Sequence, residues 1–234
     1  MNFEQLSPDL IIEIGLYLEI DEIFSYCLIS TKFNYYVCEN RFFWLLRLKM
    51  DYGITKDRIP DDTTAKDYYR YIHTILADRN NRAGLNDLLK NAVKFGNIRL
   101  VGLALDAGAQ VDHASGYILK QAVVNRDMDM IKYLMSRGAN YEIQNNIVLA
   151  IAARVGDISI YKYFRELGVV PDRFILARAL YEASRFGQMD IVKYLVEEEN
   201  ADVQHKNNEA VKIAMQKGHQ EVVDYLLSRG ASLD

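Results

Sequence analysis

The sequence predicts an all-α protein in which a small three-helix domain and a helical bridge precede a solenoid of about five helix pairs. Three observations support this prediction. A pattern of small and apolar residues recurs every 30 or 31 residues over the last two thirds of the chain. The apolar residues within each copy follow the helical period, and the first fifty residues follow a different pattern. We therefore divide the 234 residues into segments 1–50, 51–84 and 85–234.

Composition and charge exclude several classes of protein. Half of the residues are hydrophobic and only three are proline, which is typical of a chain that folds. The 28 basic and 32 acidic residues give a net charge of −4, which argues against a surface built for nucleic acid or anionic lipid. Cys27 and Cys38 lie in a helical stretch, and we expect both to be buried, reduced thiols.

Targeting signals are not apparent in the sequence. No apolar run reaches the length of about 18 residues that a membrane span requires. The first ten residues carry Glu4 and Asp9 where a secretory signal would carry basic residues. We therefore expect a cytoplasmic or nuclear protein without a membrane partner.

The first fifty residues predict three helices. Ser7-Pro8-Asp9 combines a hydroxyl cap, a proline at the first helical position and an acid near the positive end of the helix dipole. Asp21 is the predicted cap of a second helix, and a third helix is predicted from Ser30 or Asn34 to Leu48. A domain of this size buries only a marginal core, so we expect it to need a partner.

This segment resembles an F-box, from about Asn2 to Met50. The residues that carry the resemblance are Leu6-Ser-Pro-Asp-Leu-Ile-Ile-Glu-Ile14, Tyr17-Leu18, Leu28-Ile-Ser-Thr-Lys-Phe33 and Phe43-Trp44. The resemblance implies docking on the Skp-type adaptor of a cullin–RING ubiquitin ligase, and through that adaptor on the cullin. The adaptor-binding residues that it implies are Leu6, Pro8, Leu10, Ile14 and Leu18. We expect Leu28 and Trp44 in the core, and the alternative is that all seven side chains are internal.

Residues 51–84 form the predicted bridge. They contain six acids and six bases, and the helix-start signal Asp61-Asp-Thr-Thr precedes apolar and aromatic residues at helical spacing. This pattern favours an ordered helix over a flexible linker. The segment at residues 80–84 is the predicted hinge.

Five marker residues define the repeat. They are Gly96, Arg126, Gly156, Gly187 and Gly218. An alanine stands four residues before each marker and a leucine or valine seven before it, so both lie on one helix face. The twelfth residue after the marker is glycine in four copies, where it would end a helix, and Glu199 in the other. Each copy is therefore a predicted helix pair, and the copies stack. Their approximate bounds are 85–114, 115–144, 145–175, 176–206 and 207–234.

The repeat resembles the ankyrin repeat over residues 85–234. The resemblance is plainest in Gly187-Gln-Met-Asp-Ile-Val-Lys-Tyr-Leu-Val196 and Gly218-His-Gln-Glu-Val-Val-Asp-Tyr-Leu-Leu-Ser-Arg-Gly-Ala231. The Thr-Pro-Leu-His start is missing from every copy, and each copy is shorter than the usual length of about 33 residues, so we expect short fingers. In both respects the repeats are similar to those of ankyrin proteins of large DNA viruses, which would imply the host cell cytoplasm.

The two positions before each marker vary between copies, and in ankyrin-type stacking they line the concave groove. The candidate target-binding residues there are Lys94, Phe95, Asn125, Arg154, Arg185, Phe186, Gln216 and Lys217. Bases and phenylalanines without an acid predict an acidic protein target with apolar anchors, whose identity the sequence does not give. The alternative is that the phenylalanines pack into their own repeats and the bases are merely solvated.

The sequence lacks the motifs of an enzyme. It has no phosphate-binding glycine loop and no Cys/His cluster with metal spacing, so we predict no catalysis, no cofactor and no metal. Nucleic-acid binding through Lys94, Arg154, Arg185 and Lys217 is a third alternative, and we expect no nucleic-acid partner.

The two resemblances together predict the substrate-recognition subunit of a Skp–cullin–F-box type ubiquitin ligase. The alternative is an ankyrin scaffold or decoy that sequesters the adaptor or a host protein without ubiquitination.

Overall fold

The computed structural model describes residues 3–233, except for the side chains of residues 143–146. Met1, Asn2 and Asp234, at the ends of the predicted first domain and last repeat, lie outside the described residues. Every regular element within the described range is helical, which confirms the predicted all-α class. The chain divides into two compact units, Met1–Ala109 and Gln110–Asp234. We describe each unit by itself.

The first unit contains seven α-helices in its described part. They are α1 (Pro8–Tyr17), α2 (Ile20–Ile29), α3 (Thr31–Phe33), α4 (Arg41–Tyr52), α5 (Ala65–Ala77), α6 (Arg82–Lys94) and α7 (Ile98–Ala107). Short 3-10 helices cover Phe3–Gln5 and Lys56–Arg58, and a π-helical turn covers Asn34–Cys38.

Helix caps explain where the first helices begin. The Ser7 hydroxyl accepts a hydrogen bond from the Leu10 amide, as predicted for the start of α1. Two expectations were wrong. The capping box of α2 is formed by Glu19 and Glu22, so the predicted cap Asp21 lies inside the helix. The predicted third helix is divided, because α3 and the π-helical turn end before Asn40 caps α4.

A mixed aromatic and polar core joins α1, α4 and α5. The Trp44 indole is buried, donates from Nε1 to the Cys38 carbonyl oxygen at 3.0 Å and lies 5.3 Å from the Tyr69 ring. Arg47 is also buried, and it donates to the Leu16 carbonyl oxygen at 2.7 Å and pairs with Asp51 at 2.8 Å. A buried guanidinium is tolerated because these partners pair its charge and satisfy its terminal nitrogens, although Arg47 Nε has no partner among the described residues.

The two cysteines are paired. Cys27 on α2 and Cys38 in the π-helical turn form a disulfide, with their Cα atoms 6.1 Å apart. This separation is normal for a disulfide. The expectation of two reduced thiols was therefore wrong, because the π-helical turn brings the buried Cys38 against the end of α2.

The bridge packs against both of its neighbours in the first unit. Helix α5 contacts α4, α6 and α7. Residues 80–84, the predicted hinge, include the start of α6, which Asn81 caps by accepting from the Gly84 amide at 3.0 Å. A Cβ added at Gly84 would lie 2.6 Å from Ile75 Cδ1, so glycine permits a close approach of α5 and α6.

The second unit contains four helix pairs in its described part. The first helices of the pairs are α8 (His113–Val124), α10 (Ile143–Val155), α12 (Arg173–Arg185) and α14 (His205–Lys217). The second helices are α9 (Met128–Ser136), α11 (Ile158–Glu166), α13 (Met189–Glu197) and α15 (Gln220–Ser228). First helices pack on first helices in order along the chain, and α13 packs between α11 and α15. This is the stacking of an α-solenoid, as predicted.

Left-handed residues end the helices at the predicted positions. All five markers have positive φ values, from 56° at Arg126 to 77° at Gly218. Glu199 departs from the glycine pattern because the left-handed residue of this copy stands thirteen residues after the marker instead of twelve, at Asn200, with φ of 55°. Asparagine tolerates that conformation better than most residues do.

The segments between helix pairs contain no strand within the described residues, in agreement with short fingers. Two first helices open with a left-handed turn, at residues 114–116 in α8 and residues 206–208 in α14. No helix in the described range has the length and apolar composition required to cross a membrane.

Candidate functional site

The residues predicted to bind an adaptor lie at the start of the first unit. Pro8 and Leu10 are exposed on α1, whereas Leu6, Ile14 and Leu18 are half-buried. The Lys32 ammonium on α3 donates to the Leu6 carbonyl oxygen at 2.7 Å and so holds the segment before α1. This end of the chain therefore presents apolar side chains from an ordered backbone.

Other apolar side chains are exposed in the same segment. Leu28, expected in the core, is 89% exposed at the end of α2, so that expectation was wrong, while Trp44 is buried as expected. The other large apolar residues exposed in the first fifty residues are Leu10, Tyr17, Ile29, Tyr35, Phe42, Leu46 and Met50. This many exposed large apolar residues in fifty make the segment a candidate interaction surface.

Helix α4 carries three of these residues in one line. Phe42, Leu46 and Met50 follow one another at intervals of four residues, and all three are exposed. The sequence analysis missed this apolar stripe. The sequence does indicate this stripe, because the apolar residues of α4 cover more of the helix circumference than one buried face requires.

The predicted groove residues of the second unit lie at the ends of its first helices. Asn125, Arg185, Phe186, Gln216 and Lys217 are exposed, and Arg154 is half-buried. Because α8, α10, α12 and α14 pack in order, these ends form one row. The Arg185 guanidinium lies 5.7 Å from the centre of the Phe186 ring, in cation–π contact.

Lys94 and Phe95 lie at the end of α6 in the first unit. Arg58 stacks over the Phe95 ring at 5.1 Å and donates to the Phe95 carbonyl oxygen, and the Lys94 ammonium lies 5.5 Å from the same ring. A cavity of about 250 Å³ next to Phe95 is also lined by Tyr68 and Asn97. Phe95 is therefore partly covered by the bridge.

A polar cluster lies between α11 and α13 in the second unit. Arg165 pairs with the nearly buried Glu199 at 2.8 Å, and the Tyr194 hydroxyl donates to Glu199 at 3.3 Å. The Tyr161 hydroxyl is buried beside this cluster without a hydrogen-bond partner among the described residues. Burial, reinforced by the negative charge of Glu199, raises the pKa of Tyr161 well above its ordinary value.

A cavity of about 400 Å³ lies between α12 and α14. Its walls include the exposed Phe174 ring, Arg178 and Tyr181 on α12, and His205 and Lys206 on α14. The sequence analysis missed this cavity because the residues that face each other at one register position differ in type between copies, as Phe174 and His205 do.

Ligand sets for a metal are absent from the described residues. No group of three or more His, Cys, Asp or Glu side chains there could hold an ion. Exposed apolar and basic side chains on stacked helix pairs instead define a protein-interaction repeat.

Comparison with known proteins agrees with this class. Residues 149–234 match ankyrin repeats, in three copies. Alpha-latrotoxin-Lh1a of Latrodectus hasselti is 40% identical over 85 residues, which are 36% of this chain and 6% of the toxin. An ankyrin repeat protein of Acanthamoeba polyphaga mimivirus is 27% identical over 162 residues, which are 69% of this chain and 25% of that protein. A second mimivirus ankyrin repeat protein is 29% identical over 102 residues, 44% of this chain and 16% of its own length.

The chain therefore spans a quarter or less of the length of these curated relatives. Ankyrin repeats imply protein–protein interaction, and the mimivirus relatives agree with the resemblance to ankyrin proteins of large DNA viruses. The F-box resemblance of the first fifty residues stays a prediction.

Proposed function

We propose that this chain is a substrate-recognition subunit of a Skp–cullin–F-box type ubiquitin ligase. The helices before the repeats dock on the Skp-type adaptor, and the repeats bind the protein that is to be modified. The observation that carries this proposal is the exposure of eight large apolar side chains within the first fifty residues. Such a density on a small helical domain favours completion of its core by a partner.

Docking begins at the segment before α1. Pro8 and Leu10 are exposed, and Leu6 is held in place through the bond from Lys32 to its carbonyl oxygen. An ordered apolar segment loses little conformational entropy on binding, which favours affinity. Ile14 and Leu18, half-buried on the same helix, extend this surface.

The bridge supports the proposal by its packing. Helix α5 contacts α4 on one side and the first helix pair, α6 and α7, on the other. Asn97 at the start of α7 donates to the Tyr52 carbonyl oxygen at 2.8 Å. The proposed adaptor-binding helices and the first repeat therefore share one compact unit.

Target binding is assigned to the ends of the first helices. Arg154, Arg185 and Lys217 supply positive charge there, and Phe186 supplies an apolar anchor. Charge of one sign favours encounter with an acidic partner, while the anchor contributes most of the binding energy.

Co-purification with a Skp-type adaptor tests the docking step. We expect the full chain to retain the adaptor and the double variant Leu6→Asp/Leu10→Asp to lose it, because carboxylates cannot be buried unpaired. Leu233→Asp, at an exposed leucine of the other unit, is the matched control and should bind normally. Adaptor binding by the folded double variant would refute the docking site.

A reconstituted ubiquitination assay tests the role of the complex. A substrate receptor gives modified target only when adaptor, cullin and chain are all present. A decoy or scaffold binds the same proteins and gives no modified target, so that result would replace the proposed function by sequestration.

A further inference from the structure

The cavity between α12 and α14 contains charged side chains that have no partner among the described residues. Arg178 and Glu182 are four residues apart on α12, a spacing at which an ion pair forms readily. Neither side chain has an ionic or hydrogen-bonding partner in the described part of the chain, and the same holds for Lys206 and Glu209 on α14. These groups are therefore available to a ligand.

Apolar surface lies next to these charges. The Phe174 ring is 69% exposed and meets the His205 ring edge to face, with 6.2 Å between the ring centres. Val170, four residues earlier, is 74% exposed. Both ring nitrogens of His205 are buried and have no hydrogen-bond partner among the described residues, so this imidazole keeps one donor and one acceptor unsatisfied beside the Phe174 ring.

The cavity lining is balanced in charge, and the two helices that form it are positive. Arg178 and Lys206 line the cavity together with two acids, Glu182 and Glu209. Arg185 and Lys217 lie at the ends of the same two helices, and neither helix carries a further acid. This excess of bases along the two helices favours a partner that carries negative charge.

We propose that this cavity anchors an acidic segment of a protein partner, which places one apolar side chain against Phe174 and Tyr181 while its carboxylates pair with Arg178 and Lys206. The proposal rests on the proposed target-binding role of the repeats and extends it from the helix ends to the face between α12 and α14. It names the chemistry of the target segment: acidic residues on both sides of a single large apolar residue.

Glu182 and Glu209 favour a protein partner over a nucleic acid. Glu182 and Glu209 stand between the bases, so a uniformly charged phosphate backbone would meet repulsion along its length. A peptide can place a carboxylate opposite each base and an uncharged residue opposite each acid. The pattern therefore favours a protein segment over a nucleic acid.

Fluorescence anisotropy with the full chain tests the proposal. The probe is a fluorescein-labelled peptide of Glu, Asp and Ser residues with one central Phe, and the companion probe has Ser in place of that Phe. We expect saturable binding of the first probe, which weakens as salt is raised because the ion pairs are exposed. The companion probe should bind about ten-fold more weakly, because it lacks the apolar anchor.

Three variants locate the site. Arg178→Glu and Phe174→Ser should each weaken binding of the first probe by about ten-fold while circular dichroism shows native helix content. Lys193→Glu makes the same charge change at an exposed position of α13 and should leave binding within about two-fold of the original chain.

Any of four results would overturn the proposal: no saturable binding, equal binding of the two probes, unchanged binding by Arg178→Glu, or tighter binding of a single-stranded oligonucleotide of the same length. The assay contains no adaptor. A negative result in this assay therefore does not contradict adaptor binding. Conversely, loss of adaptor binding does not contradict peptide binding at this cavity.

Discussion

The imidazole of His219 donates a hydrogen bond from Nε2 to the carbonyl oxygen of Arg185, 3.0 Å away and 34 residues earlier in the chain. Gln188 makes the corresponding bond one repeat earlier, to the Arg154 carbonyl oxygen at 3.3 Å. Each donor directly follows a left-handed marker glycine, and each acceptor lies two residues before the preceding marker. Because a carbonyl only accepts, Nε2 of His219 carries the proton.

Removing the hydrogen bond from His219 to the Arg185 carbonyl oxygen should destabilise the last repeat. We expect His219→Ala to lower the free energy of unfolding by about 1 kcal/mol, the usual net value of one hydrogen bond. His219→Gln introduces the residue of the preceding repeat and should keep most of the stability. Urea denaturation of both variants measures the difference. Equal free energies of unfolding for the Gln and Ala variants would show that this hydrogen bond does not contribute to stability.

Asn97 performs two roles at the start of α7, and substitutions can separate them. Its Oδ1 accepts from the Leu100 amide at 3.0 Å, which caps α7, and its Nδ2 donates to the Tyr52 carbonyl oxygen at 2.8 Å. Asn97→Ala loses both and should cost about 2 kcal/mol. Asn97→Asp keeps the cap but loses the donor, so it should cost about 1 kcal/mol. Equal losses in thermal unfolding would contradict a contribution from the cap.

The position of Asn97 shows what the sequence could predict and what it could not. The repeat period predicted the helix pairs, and the alanines before the markers are buried, with Ala122, Ala152 and Ala183 fully inaccessible. A fixed spacing of small and large residues specifies this packing locally. The bond from Asn97 to Tyr52 could not be predicted, because it joins residues 45 positions apart outside the repeat register.

The irregular features of the second unit escaped prediction for a related reason. The left-handed residue of the fourth copy is Asn200 and not Glu199. The sequence could not predict this shift, because more than one end of the preceding helix is compatible with the apolar spacing. The turn at residues 206–208 uses three non-glycine residues in a conformation that local propensity disfavours. Tertiary packing, which sequence spacing does not report, decides both features.

The disulfide between Cys27 and Cys38 gives a prediction about reducing conditions. It joins residues that are 11 positions apart, and closing a loop of this size stabilises a protein by about 3 kcal/mol in the chain-entropy model. We therefore expect dithiothreitol to lower the thermal midpoint of the full chain and to expose two titratable thiols. The double variant Cys27→Ser/Cys38→Ser is the control, and its midpoint should not respond to the reductant. An unchanged midpoint in the reduced original chain would contradict the prediction.

The buried hydroxyl of Tyr161 predicts a stabilising substitution. Among the described residues it has no hydrogen-bond partner, so its desolvation is uncompensated. Tyr161→Phe removes the hydroxyl and keeps the ring, and we expect it to raise the free energy of unfolding by about 1 kcal/mol near neutral pH. Tyr194→Phe is the matched control. It should destabilise the protein, because the Tyr194 hydroxyl donates to Glu199 at 3.3 Å.

The pH dependence of the Tyr161 variant provides an independent check. Because burial raises the pKa of Tyr161 in the folded chain above its ordinary value of 10.0, unfolding releases a proton at high pH. Titration of this tyrosine does not change the free energy of unfolding of the original chain below about pH 10 and lowers it progressively as the pH rises above that value. The advantage of Tyr161→Phe over the original chain should therefore grow between about pH 10 and pH 12 in urea denaturation. A constant difference across that interval would mean that the hydroxyl titrates normally and is therefore hydrated in the folded protein.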